Sequence, residues 1–331
     1  MEVTWLDPEH VDRRDVDAAV ALLEAARQVD CPHELGATST AYAARLRYGW
    51  DGDPPLAGLA RDDSDRVTGV VEVALPHWDN THTGWVEVTV DPLCRRQGIG
   101  RELFETAVER IRAAGRSLVI VESFDLPAAV AFAKAMALDR VSEEVQRRQD
   151  LRRLDRSRLD HELAAAQGRA GGYQLVRLPG RTPEDLLDDV VEMSAAINDA
   201  PIDDFDVEDD VFSRERVRAY ETAEAAGGRR LYRLVARHRA TGALAGHTVV
   251  AVDAERPGYA EQHDTSVVRA HRGSRLGVLL KTAMVRWLHE EEPQLRIVDT
   301  WNAASNAHMI AVNEVLGYSV VANGIGWQRH L

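Results

Sequence analysis

Cysteine, aromatic residues and long apolar runs are all scarce in this 331-residue chain. The two cysteines, Cys31 and Cys94, have no metal-ligand spacing and make no disulfide framework. No apolar run reaches the roughly 18 residues that a membrane span requires, so no segment is expected to cross a bilayer. The opening residues, Met1-Glu-Val-Thr-Trp-Leu6, lack the basic and apolar regions of a signal peptide, and a reducing cytoplasm is the expectation. Positive charge is in deficit. A net charge of −14 argues against general nucleic-acid binding, which needs a basic surface, and it permits a cationic partner such as an amine. The length suffices for two domains that each bury a core.

What the chain does contain is centred on Val90-Asp-Pro-Leu-Cys-Arg95-Arg96-Gln97-Gly98-Ile99-Gly100-Arg101. Residues 84–90 read as a strand, rich in β-formers and ending at an Asp-Pro turn signal. After the glycines, Leu103, Phe104, Ala107, Val108 and Ile111 recur at helical spacing. A strand therefore passes through a basic, glycine-containing turn straight into a helix. That arrangement aims backbone N–H groups and a helix dipole at one spot, where a diphosphate is the natural guest. The pattern has a partner. Strand-like 265–268 leads into Arg269-Ala-His271-Arg272-Gly273-Ser274-Arg275-Leu276-Gly277, followed by Leu279, Leu280, Ala283, Met284 and Trp287 at helical spacing. Setting Gly100 on Gly277 gives an offset of 277 − 100 = 177 and puts Arg95 on Arg272. A repeat of domain size implies duplication and excludes a solenoid.

Taken in order, 2–6 reads as a strand, 16–29 and 39–48 as helices, and 56–60 with 66–75 as a hairpin around Asp62-Asp-Ser-Asp65. Beyond the basic turn and its helix come a strand at 117–122, a helix at 127–138 and a closing strand at 143–151. Residues 152–172 read as a helical linker ending in glycines. The same order then repeats: strand 173–178, a helix from 182 with Thr182 as N-cap and Pro183 at its first position, and an acidic loop at 199–210 expected to reach over a site. A helix near 213–226, three strands, the second basic turn, a strand at 295–300, a helix at 305–316 and a closing strand near Trp327 follow. The expectation is α/β: two tandem domains, 1–151 and 173–331, each a mixed, mostly antiparallel central sheet flanked by helices.

This element order, with Arg-x-x-Gly-x-Gly at 95–100, resembles the GNAT superfamily of acyl-CoA N-acyltransferases. A second signature of that family, Asn-x-x-Ala-x-x-x-Tyr-x-x-x-Gly-Phe, is similar to the run from Asn306 through His308, Met309 and Asn313 to Gly317-Tyr318. The duplicated layout resembles the actinobacterial tandem type, of which mycothiol synthase is the best-known relative. The resemblance implies acetyl-CoA as co-substrate and a primary amine of a small molecule or peptide as acceptor; no metal site is expected. Departures are clear. Ala133 stands where the family often has its tyrosine acid, and Ala137-Leu138 where it has Gly-Phe. In the second copy Arg275 occupies the first glycine of the loop, and Asn313 replaces the tyrosine. The relative's design implies a catalytic C-terminal copy and an N-terminal copy that binds CoA structurally or is vestigial.

Acetyl transfer to an amine needs the partners held in line, a base for the ammonium proton and stabilisation of the oxyanion. In the family a glutamate on the strand before the loop often serves as base; Glu261 matches that position, with Asp264 and His263 as rivals. Strict alternation would turn Glu261 and His263 one way and Gln262 and Asp264 the other. The cofactor's path implied by the resemblance takes in Val267, Val268, His271, Arg272, Gly273, Arg275, Leu276 and Gly277, with Asn302 and Asn306 on its adenosine–pantetheine side. Ser305 or Asn306 could equally cap the following helix, and Tyr318 reads as a packed aromatic. In the first copy the corresponding residues are Val90, Arg95, Arg96, Gly98, Ile99 and Gly100, and Glu87 is a weak base candidate. Two alternatives stay open: activity in the first copy or in both, and a CoA-binding sensor or scaffold without catalysis. The acceptor and the oligomeric state do not follow from the sequence.

Overall fold

Asp12 and Thr38 each accept a hydrogen bond from a first-turn backbone N–H, of Arg14 and Ala41 respectively, and so start two helices. In the computed structural model, which describes residues 3–7 and 10–331, these are α1 (Arg13–Asp30) and α2 (Ser39–Tyr48). They follow β1 (Val3–Trp5); Glu2, expected in the same strand, lies outside the described residues. A meander of β2 (Leu56–Arg61), β3 (Val67–Ala74) and β4 (Thr83–Val90) comes next, and β1 adds antiparallel to β2. The basic turn then opens α3 (Ile99–Ala113), followed by β5 (Leu118–Phe124) and α4 (Pro127–Ala135). β5 runs parallel to β4 through only three residue pairs, from Thr83↔Leu118 to Trp85↔Ile120.

The chain continues through β6 (Asp139–Asp150), α5 (Arg156–Arg169), β7 (Tyr173–Pro179), α6 (Leu187–Ser194) and α7 (Arg214–Ala226). A second meander is built from β8 (Arg229–His238), β9 (Leu244–Asp253) and β10 (Tyr259–Val267), with β7 antiparallel to β8. α8 (Leu276–Glu291), β11 (Ile297–Ala303), α9 (Ala307–Val315) and β12 (Tyr318–His330) complete the repeat. Here too the parallel pairing is three residues long, from Tyr259↔Ile297 to Glu261↔Asp299. Each sheet is mixed and mostly antiparallel, with helices on its faces.

The chain divides into two compact units, and the division differs from a cut at residue 151. The first takes Met1–Glu143, Asp203–Asp209 and Gly324–Leu331; the second takes Glu144–Ile202 and Asp210–Asn323. Within the second unit, Glu144 to Asp150 of β6 lies antiparallel on β11. Within the first, Gly324 to His330 of β12 lies antiparallel on β5. The strands expected to close each domain's own sheet thus close the other one. The segment expected as a linker is also part of a fold: Leu159, Leu163 and Ala166 of α5 are buried in the core of the second unit, alongside Trp287 and Leu280 of α8. Three residues recurring every three or four positions form an apolar stripe, and each large one buried contributes about 1.5–3 kcal/mol.

Two smaller expectations also change. Thr182 caps no helix; its backbone N–H donates to Glu221, and the helical segment begins with a short 3₁₀ turn at Glu184–Leu186. The acidic loop is split, and 203–209 folds onto the first unit. There Glu208 exchanges hydrogen bonds with Asn80, and the Asp206 carbonyl meets the His82 ring. Among the described residues no helix is long and apolar enough to cross a membrane.

Candidate active site

The two basic turns share one geometry. Each begins with a three-residue 3₁₀ turn, Pro92–Cys94 or Arg269–His271. An arginine follows, and its Nε–H donates to the carbonyl five residues back: Arg95 to Val90 at 3.2 Å, Arg272 to Val267 at 3.0 Å. The same guanidinium then grips an aspartate that ends a helical segment, Asp30 at the end of α1 and Asp199 at the end of the 3₁₀ turn after α6. Arg95 holds Asp30 through two bonds of 2.8 and 2.6 Å, and Arg272 holds Asp199 at 2.6 Å. Two left-handed residues complete each turn, and the repeat exchanges their identities. They are Arg96 (φ 64°) and Gly98 (φ 92°) in the first unit, and Gly273 (φ 84°) and Arg275 (φ 57°) in the second. Arg275 therefore does the backbone work of a glycine, at a cost of about 1–2 kcal/mol.

This geometry reassigns the basic side chains. Arg95 and Arg272 are tied to aspartates, Arg275 donates to Glu162 at 2.7 Å, and His271 Nδ1 meets the Tyr173 hydroxyl at 2.9 Å. Arg96 is exposed, and backbone faces outward beside it. Neither α3 nor α8 has a side-chain cap, so the first-turn N–H groups at Ile99-Gly100 and Leu276-Gly277 are the donors an anion would meet. A Cβ added at Gly98, Gly273 or Gly277 would meet nothing within 4 Å, so each borders open space. Gly100 differs: a Cβ there would lie 3.2 Å from Phe132 and 3.4 Å from Val90. At this one position the second unit's turn is the more open of the two.

Beside that turn β10 carries a register shift between Gln262 and Thr265. Glu261 pairs with Ala251 and Ser266 with His247, which places them on the face under α7; Gln262 and Thr265 turn to the opposite face, bonded to Thr248. The extra residue in the bulge breaks alternation. His263, 2.6 Å from the Tyr220 hydroxyl, and Asp264, within electrostatic reach of Tyr220, Arg233 and Arg216, both join the α7 face. The expectation of two opposed pairs is corrected: Glu261, His263, Asp264 and Ser266 share one side.

Their electrostatics differ. Glu261 receives Arg229 at 3.2 Å and has His263 at 3.7 Å. Burial works against its charge, but these partners outweigh it and hold the carboxyl down at about 2. Burial pushes Asp264 above the usual carboxylate range, and His263, Arg233 and Arg216 only partly offset it. Glu224 on α7 is also raised by burial. Of the two carboxylates singled out from the sequence, Asp264 is thus the stronger base.

On the opposite face a buried chain runs from α8 to β11. Lys281 Nζ donates to Asn313 Oδ1 at 2.6 Å, and Asn313 Nδ2 donates to Asn302 Oδ1 at 2.7 Å. Lys281 also sits 4.7 Å from the centre of the Tyr318 ring, and Tyr318 is buried as expected. Asn306 caps α9, accepting from Met309 N–H at 3.1 Å. Lys281 is 2 % exposed, and burial lowers its ammonium to about 7. Sequence reasoning missed this lysine, because one charged residue in an amphipathic helix reads as solvated.

The first unit has its own cluster. Arg45 of α2 bridges Glu72 at 2.9 Å and Glu87 at 2.7 Å, with Tyr42 beside them; burial raises Glu72 to about 7. By the offset of the glycine turns, Glu87 corresponds to Asp264, not to Glu261. Glu72 was not legible because it lies mid-strand among valines, where alternation alone gives it a face but no role.

Comparison with known proteins agrees with this double geometry. A tandem GNAT protein from the clavulanic acid biosynthesis pathway, in its form without acetyl-CoA, superposes with a TM-score of 0.81 at 30 % identity, covering 99 % of this chain and 98 % of that one. The chain belongs to the GNAT acetyltransferase family. The model of that family, described as acetyltransferase (GNAT), matches residues 21–137 of this tandem GNAT chain. A mycothiol acetyltransferase from Clavibacter sepedonicus is 39 % identical over 104 residues, a match spanning about a third of each protein (31 % of this chain and 32 % of that one). A GCN5-related N-acetyltransferase from Sphaerobacter thermophilus shares the fold at TM-score 0.66 and 15 % identity, covering 99 % of this chain and 95 % of that one.

Proposed function

We propose that the second unit transfers an acetyl group from acetyl-CoA to a primary amine, and that the first unit is a cofactor-binding or degenerate copy. The observation that carries the assignment to the second unit is the space at the second glycine of its turn: a Cβ at Gly277 meets nothing, whereas Phe132 and Val90 crowd Gly100. A diphosphate would be met by uncapped helix N–H groups, and the short β10–β11 pairing leaves strand backbone free for the pantetheine arm. Acetyl-CoA supplies the activated thioester.

The protein's part is to prepare the amine. Glu261, fixed as a carboxylate, attracts the incoming ammonium. Asp264, raised by burial, takes its proton. The neutral nitrogen attacks the thioester carbonyl, the C–S bond breaks, and a proton from that nitrogen goes to the departing sulfur. No tyrosine acid is required, which suits Asn313 at the tyrosine position. The test is release of free CoA thiol with a panel of primary amines, in wild type and in Asp264→Asn. Thiol release that needs an amine and falls in the variant supports the reading. Acetyl-CoA binding with no turnover on any amine would favour the sensor alternative.

A further inference from the structure

Arg233 on β8, His247 on β9 and Ser266 on β10 lie side by side on the face under α7. The registers place them there: Arg233 opposite Val249, and His247 opposite Ser266. All three are buried, at 6, 1 and 7 % exposure. His247 and Ser266 each bring a buried polar atom with no hydrogen-bond partner, and Arg233 brings N–H groups beyond the one it turns to His247. Arg233 has no carboxylate within ion-pair distance among the described residues; its one polar contact is an N–H to His247 Nδ1 at 3.5 Å. A guanidinium only donates, so Nδ1 accepts and the ring proton of the neutral imidazole sits on Nε2. Burial beside Arg233 lowers this histidine to about 3, so it is neutral at pH 7. His247 Nε2 and Ser266 Oγ are both buried without a hydrogen-bond partner. Leaving such groups unmet is costly, and a native fold with several together is arranged for something that is not protein.

We propose that the amine acceptor also bears a carboxylate, and that Arg233, His247 and Ser266 form the subsite that holds it. The inference rests on the acetyl-transfer reading for its reacting amine, but the subsite itself does not. One guanidinium, one neutral N–H and one hydroxyl match a single negative charge with two oxygens. The acidic groups on the same face, Glu261, Asp264 and Glu224, fit the other end of such a molecule, its ammonium. Asp264 lies within electrostatic reach of Arg233 without touching it, so the subsite is flanked by the residue that takes the amine's proton.

Two experiments separate the subsite from the chemistry. In the full chain, acetate titrated into protein labelled at histidine should shift the His247 Nε2 resonance saturably, and acetamide should not. Arg233→Met should abolish the shift, while Arg233→Lys, which keeps the charge, should retain part of it. In turnover, kcat/KM is compared for glycine, β-alanine and γ-aminobutyrate and for their amides. Arg233→Met should cut kcat/KM for the acids about 10–100-fold more than for their amides. Equal responses to acetate and acetamide, or a preference untouched by Arg233→Met, would overturn the proposal. Acetate binding without acetylation of any amine would sink the acetyl-transfer reading and leave the anion subsite standing.

Discussion

Replacing Lys281 by methionine should stabilise the protein near neutral pH and destabilise it in alkali. In the folded chain burial lowers this ammonium from 10.5 to about 7. A lysine whose folded pKa lies below its unfolded one binds more protons when unfolded. Stability therefore rises with pH between about 7 and 10.5, and the burden is greatest at and below pH 7. That difference corresponds to about 5 kcal/mol at most. Methionine fills the same space without charge, but it leaves Asn313 Oδ1 without its donor, at a cost of about 1–3 kcal/mol. A cavity of about 10 Å³ beside Lys281, lined by Gln149, Gln262 and Tyr318, has room for about one water and softens that loss. The net expectation is a gain of a few kcal/mol at pH 6.5, a crossing between about pH 8 and 10, and a loss at pH 10.5. Urea denaturation of wild type and Lys281→Met across that range measures it directly. Parallel curves with no crossing would show that Lys281 is not held uncharged by burial, and would refute the reasoning.

Asp264→Asn should lower kcat by about 10²–10⁴-fold, the usual contribution of a general base. Glu261→Gln should act mainly on KM if, as proposed, its carboxylate attracts the amine and leaves the proton to Asp264; steady-state kinetics with one acceptor separates the two. Because Asp264 is raised, activity should fall as pH drops through its folded pKa, and the acid limb should sit higher than an ordinary aspartate would give. Arg275→Gly should recover about 1 kcal/mol of left-handed strain, less the Glu162 ion pair it removes, and denaturant melts will show the sign. Asp199→Asn should weaken acetyl-CoA binding about tenfold by freeing Arg272 and Arg269 from the carboxylate that anchors the turn.

The sequence made the duplication legible because glycine and arginine punctuate the turn at fixed offsets, and those offsets survive in the backbone. Pro92–Cys94 and Arg269–His271 are the same 3₁₀ turn, and the left-handed positions coincide although glycine and arginine have traded places. Which strand closes which sheet was not legible. Alternation tells a strand which face is buried and says nothing about the edge it joins, so Glu144–Asp150 and Gly324–His330 could not be assigned. The bulge in β10 was equally hidden, since it exists only in the pairing with β9, and with it went the grouping of Glu261, His263 and Asp264. Basic residues near the glycines looked free because sequence does not show Asp30, Asp199 or Glu162 arriving from elsewhere in the fold. The stripe of Leu159, Leu163 and Ala166 was in plain view, and helical spacing alone should have placed it in a core.

Calorimetric titration of acetyl-CoA into wild type, Gly277→Glu and Arg101→Glu tests the assignment of the active unit most directly. Gly277 tolerates a Cβ, so a glutamate there brings negative charge to the second turn without disturbing packing; Arg101 is exposed in the first turn of α3 and serves as the matching lesion. Loss of thiol release and of the second unit's share of binding in Gly277→Glu, with turnover kept in Arg101→Glu, is the expected result. Turnover that survives Gly277→Glu and disappears in Arg101→Glu would place the chemistry in the first unit and contradict the assignment.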